Sequence, residues 1–495
     1  MSFAPYAVLW VALVAVSVLL IPAARRPRPG LILSFGLPVA ALLAGLFLRP
    51  DAVAPAWGFA GRQWAITGTA YGLTGAALLL LLVAVGQHYL QTRAGKHETR
   101  QLPLLFALTA ASLPALWAAD GRTRVLGSIY LLQIDQGVAP FRWATPATRA
   151  AWAVFCLWVA AALPAWRVPL SLFASAVLLG IWPLATRSAR AEAIDLLGEG
   201  MIVVLGAAIA ASALQSDVPS GVLVAVATAV GLMSMVAGLF HAWQSAPRQM
   251  ASAIRPALGG LALTAAVWIG PTALVPAARL VVFAPAMLIV AAQLGARELD
   301  ASVDGLVARR SSPKMVAVLI VLLALTGLPL TVGFDVLSSL YGAWLGAGGW
   351  ALLLLTALLL SFWVVAMVQS GRAAMRGEAA GRTAWLRSAA LLPPLLGLIS
   401  LRLPATDVMP LICVALAAPL VTGLVLARFM PGLDSVGDLL REAVALPEPV
   451  HRLAAYGRRG GQTALDALTD ALAILEGEYG LLWLLGILLL LLWVA

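Results

Sequence analysis

Charge is scarce in this chain. Only 11% of its 495 residues are Asp, Glu, Lys or Arg, against about 25% in an ordinary soluble domain. That shortage excludes a water-exposed globular surface over most of its length. Lysine is nearly absent: Lys96 and Lys314 stand alone, each at the edge of an apolar run. Histidine is limited to His88, His97, His241 and His451, scattered without metal-ligand spacing. Cys156 and Cys413 both lie within apolar runs, which argues against a disulfide or a metal pair and predicts two small core packers. No P-loop, G-x-S-x-G, H-E-x-x-H or dinucleotide fingerprint occurs. The chain is therefore expected to carry no catalytic site of its own, no metal and no cofactor.

Apolar side chains fill the rest. The hydrophobic fraction is 62% and the mean hydropathy +0.96. Apolar stretches long enough to cross a bilayer recur throughout, predicting an all-α polytopic membrane protein with about 14–16 transmembrane helices. A net charge of +10 would suit a nucleic acid, but its distribution points elsewhere. Of the 32 Lys and Arg, 25 fall on alternate loops and 7 on the others. That bias is the positive-inside rule. It predicts a bacterial inner-membrane protein with its N-terminus outside, its basic loops cytoplasmic, the lipid bilayer as its surroundings and no nucleic-acid partner. The first span lacks a basic n-region and a cleavage motif and is read as uncleaved.

Two apolar runs are interrupted. The first reads Gly180-Ile181-Trp182-Pro183 within a span expected over 170–186. The second reads Leu325-Thr326-Gly327-Leu328-Pro329-Leu330-Thr331-Val332-Gly333-Phe334 within a span expected over 314–346. Proline removes a backbone donor, and glycine admits dihedrals that a helix forbids. Non-helical backbone at membrane depth survives only where protein or a watery cavity satisfies it, which makes Gly180, Pro183, Gly327, Pro329 and Gly333 candidate discontinuous-helix breaks. Asp335 follows the second break and is the ionisable side chain placed nearest the middle of a broken span. Its expected role is to cap the following half-helix; a proton or cation site is the alternative. His88 and His241 are secondary proton or ion candidates, both expected at the membrane interface.

The second break, L-x-G-L-P-x-x-x-G-F, resembles the discontinuous twelfth span of the antiporter-like membrane subunits of complex I, of the related membrane-bound hydrogenases and of Mrp-type cation/proton antiporters. The resemblance implies an internal repeat, with spans 4–8 over 101–218 and spans 9–13 over 219–371. These would be preceded by three spans in 1–100 and followed by two in 372–428. Residues 429–479 would form an inward amphipathic segment, similar in placement to the lateral helix of the largest such subunit, and 480–495 a final span. It also implies other membrane subunits as partners. In the family a lysine follows the Gly-Phe pair by three positions; here that position is Leu337. Aligning Pro183 with the family's seventh-span proline puts Leu178 at a second lysine position. The fifth-span glutamate region reads as Leu126 to Leu131, around Ile129, with no carboxylate.

Proton carriage needs groups that titrate near working pH, and buried lysines with movable carboxylates suit this. Arginine does not, because it stays protonated. With Leu178, Leu337 and Ile129 at the expected positions, the sequence predicts a degenerate, mainly structural subunit of a complex I-related respiratory or hydrogenase assembly. One alternative is an active translocating subunit routed through Asp335 and the hydroxyls of Thr326, Thr331 and Ser338. Another is a stand-alone multi-pass flippase.

Overall fold

The structure is a computed structural model that describes residues 4–23, 27–47, 57–59, 62–64, 66–92, 101–118, 146–181, 193–244, 250–295, 313–375, 388–400 and 409–429. Fifteen α-helices occur among the described residues: α1 (Ala4–Ala23), α2 (Pro27–Phe47), α3 (Gly68–Thr92), α4 (Gln101–Trp117), α5 (Pro146–Ala162), α6 (Arg167–Leu178), α7 (Ala193–Ser216), α8 (Gly221–Gln244), α9 (Met250–Ile269), α10 (Leu274–Gly295), α11 (Pro313–Leu325), α12 (Val332–Gly346), α13 (Trp350–Met375), α14 (Leu392–Leu398) and α15 (Met409–Phe429). Proline opens α2, α5 and α11, where its missing N–H costs nothing and its fixed φ favours the helix. The one hairpin described pairs Trp57–Phe59 with Arg62–Trp64, Trp57 opposite Trp64. The fifth-span region around Ile129 and the segments expected over 429–479 and 480–495 lie outside the described residues.

The helices form an all-α membrane bundle. Stretches within α3, α7, α8, α9 and α13, together with Pro271–Leu294, are long and apolar enough to span a bilayer. Large apolar side chains face outward as well as inward. Val11 and Ile21 of α1, Trp158 of α5, Val222 of α8, Leu354 of α13 and Val414 of α15 are all exposed, the arrangement expected where the solvent is hydrocarbon. Inside, hydrophobicity cannot distinguish protein from lipid, so packing and polar cross-links hold helices together. Tryptophan supplies several of these links, since its ring is apolar and its single N–H needs an acceptor when buried. Trp10 donates to the Ala110 carbonyl at 2.9 Å, joining α1 to α4. Trp117 donates to Thr74 Oγ1 at 2.9 Å, joining α4 to α3, and Trp268 to Thr228 Oγ1 at 2.8 Å, joining α9 to α8.

Two sequence expectations are revised. The apolar run from Ser388 to Ser400, within the region expected to hold two spans, is a 3₁₀ turn at Ser388–Leu391 followed by the seven-residue α14. Pro393 and Pro394 stand at its start, and Ile399 leaves it in an extended conformation to bridge Thr331 antiparallel. Cys413, expected in the core, is exposed on α15, whereas Cys156 is buried.

Candidate functional site: two helix breaks and two charge clusters

The two helix ends at the expected breaks are built alike. Helix α6 stops at Leu178, Gly180 turns to φ 77°, its N–H bonds the Val177 carbonyl at 3.2 Å, and the Ile181 N–H bonds the Ala176 carbonyl at 3.2 Å. Helix α11 stops at Leu325, Gly327 turns to φ 72°, its N–H bonds the Ala324 carbonyl at 3.3 Å, and the Leu328 N–H bonds the Leu323 carbonyl at 3.0 Å. Each end thus satisfies carbonyls that the helix leaves orphaned, through a glycine whose positive φ an L side chain would resist. Pro183 and the rest of 182–192 lie outside the described residues.

Beyond Gly327 the chain runs over exposed Pro329 and Leu330, the latter at φ 71° without being glycine. Helix α12 is then capped by Thr331, whose Oγ1 accepts the Phe334 N–H at 3.3 Å and donates to the Leu328 carbonyl at 2.6 Å. The cap is therefore Thr331 and not Asp335. The Asp335 carboxylate instead accepts the Ser400 hydroxyl at 2.5 Å and interacts electrostatically with Arg279 of α10. Gly333 sits so close to α11 that a Cβ there would stand 1.6 Å from the Ala324 carbonyl oxygen.

Leu178 and Leu337 stand where the family resemblance expects lysine. Leu178 and Leu337 are each 0% exposed. A Cβ built on Gly206 of α7 would lie 2.9 Å from Leu178 Cβ, and one on Gly327 would lie 2.9 Å from Leu337 Cδ1. Each leucine thus fills the space beside a break. Ile129 lies outside the described residues. His88, expected at an interface, is buried near the end of α3 with its ring edge-on to Tyr89; His241 is half-buried in the last turn of α8.

A charge cluster that sequence reasoning passed over lies near the N-terminal ends of three helices. Glu199 of α7 is 4% exposed, and Arg149 of α5, 6% exposed, hydrogen-bonds it directly. Arg255 of α9 stands 3.7 Å from the same carboxylate oxygen and also interacts electrostatically with Asp195. The one available signal was spacing: Asp195 and Glu199 are four residues apart and share a helix face. With a span expected over 199–216, Glu199 stood at its very edge and Asp195 outside it, although the helix begins at Ala193. Glu199 precedes Gly206, and so the α6 break, by about 10 Å along the helix axis. Its charge is compensated by two guanidinium groups, which lets an ionised carboxylate remain buried.

These features define a class: a multi-pass helical membrane protein with paired glycine-turned helix breaks and buried, mutually compensated charge. No protein-family model matches the chain, and no curated protein matches it. Among solved structures, it is similar in fold to a chain of the Mrp complex from Dietzia sp. DQ12-45-1b, with a TM-score of 0.66 and 15% sequence identity. The match covers 93% of this chain and 60% of that one, so this chain spans about three-fifths of that neighbour's length.

Proposed function

We propose that this protein is an antiporter-like membrane subunit, packing beside ion-carrying subunits of an assembly of the complex I, membrane-bound hydrogenase or Mrp type. On this reading it carries no protons along the line of its own breaks. The observation that carries the proposal is the pair of buried leucines, Leu178 and Leu337, filling the glycine-lined gaps where a carrier would need a titratable group. The fold likeness to a chain of a multisubunit Mrp complex supports membrane subunits as partners. The matched glycine turns at 180 and 327 support an internal repeat over 101–218 and 219–371. The loop-charge bias supports an N-terminus outside the bacterial inner membrane, which puts the Glu199 cluster toward the cytoplasm.

A route through Asp335 is disfavoured by direction. Residues two apart on a helix point about 200° away from each other, so Asp335 faces nearly opposite to Leu337. Its carboxylate is also occupied by Ser400. Purification from native membranes in mild detergent is expected to bring down further multi-pass subunits. Recovery as an isolated chain overturns the proposal and favours a stand-alone flippase. In vesicles containing the intact assembly, Asp335→Asn is expected to leave ion-driven pH change intact; its loss would restore the Asp335 route.

A further inference from the structure

Three backbone carbonyls converge on one guanidinium. Arg279, in the second turn of α10, donates from Nε to the Gly397 carbonyl at 3.0 Å and from Nη2 to the Leu396 and Ile399 carbonyls at 3.0 and 2.8 Å. These carbonyls end α14, where intrahelical donors have run out. The Asp335 carboxylate interacts with the same guanidinium, and Ser400 binds Asp335 through its hydroxyl and the Leu330 carbonyl through its N–H at 2.9 Å. The Thr331–Ile399 bridge ties the two non-helical segments together.

Half-helix carbonyls with a carboxylate nearby are chemistry that holds cations at membrane depth. Here the cation comes from the chain itself. We infer that the α14 C-terminus and Asp335 form a binding site for a planar guanidinium-type cation, and that Arg279 fills it as a tethered ligand. The fork of the guanidinium matches carbonyls spread over four residues, which a compact ammonium engages less completely. The fixed charge also neutralises Asp335, removing it as a seat for mobile cations. An ordinary basic cap at a helix end would need no such shape match and no carboxylate.

The test uses the purified full-length chain in lipid nanodiscs, with unfolding followed by tryptophan fluorescence. Arg279→Ala is expected to lower the Tm, and guanidinium chloride at about millimolar concentration, the range open to a ligand of few atoms, is expected to restore it saturably. Equal NaCl or urea should not restore it, and neither the wild type nor Arg279→Ala/Asp335→Asn should respond comparably. A wild-type Tm for Arg279→Ala, equal recovery with NaCl or urea, or recovery indifferent to Asp335 overturns the inference. Should Arg279→Ala not survive extraction, Arg279→Lys decides. Its Tm is expected to fall clearly below the wild type, and a wild-type Tm for Arg279→Lys overturns the inference.

Discussion

Glu199→Leu is expected to cost about 3–5 kcal/mol, the range for removing one partner of a buried ion pair. Most of the folded protein would then be lost on extraction. The cause is the pair of guanidinium groups left behind. Arg149 hydrogen-bonds Glu199 from a buried position, and its Nε has no partner among the described residues. Without the carboxylate, its charge stays desolvated in a bundle with few polar atoms to receive it. Arg255 retains its attraction to Asp195. The double variant Arg149→Met/Glu199→Leu therefore removes charge in balance and is expected to recover much of the loss, because apolar replacement of a buried pair is often neutral or stabilising. Monodisperse yield and Tm in the same detergent check both. A double variant no better than the single would show that these side chains do more than compensate each other.

Gly333→Ala is the second large effect. The added methyl would meet the Ala324 carbonyl oxygen at 1.6 Å and its carbon at 2.7 Å. Both are backbone atoms, so no side chain can rotate away. Helix α12 must instead move off α11, breaking the Thr331 cap geometry and unseating Leu337. Overpacking typically costs about 1–3 kcal/mol, and an obstruction made of backbone belongs at the top of that range or above. Gly75→Ala in α3 is the matched control: nothing lies within 4 Å of its Cβ position. Helix propensity there favours alanine by about 0.5–1 kcal/mol. Thermal unfolding of the two variants side by side is expected to show a fall for the first and no fall for the second.

The bulk architecture was legible because composition is a direct report of solvent: a chain this oily can only be dissolved in lipid. The turns at 180 and 327 were legible for a local reason, since in each a glycine able to take positive φ stands two or three residues before a proline in an apolar run. Other features were hidden by that same context. Asp335 looked like a helix cap because it follows the break, yet Thr331, at the junction, has the shorter reach to the Phe334 N–H. The apolar run from Ser388 to Ser400 holds only a seven-residue helix, since hydropathy does not register two adjacent prolines or an extended Ile399. Glu199 was missed because pairing it requires knowing that α5, α7 and α9 start side by side. No pattern in the segments around 149, 199 or 255 states that adjacency. Arg279 was hidden for the same reason, counted only among the seven basic residues on the sparsely charged loops.

The leucine stoppers beside the two glycine turns have an electrical consequence. Across a membrane held at 100 mV, every unit charge that slips through unharnessed dissipates about 2.3 kcal/mol. A bent rod with a wet seam would be a standing short circuit. On the function proposed above, one sealed with hydrocarbon would act as insulation, sparing neighbouring subunits that leak.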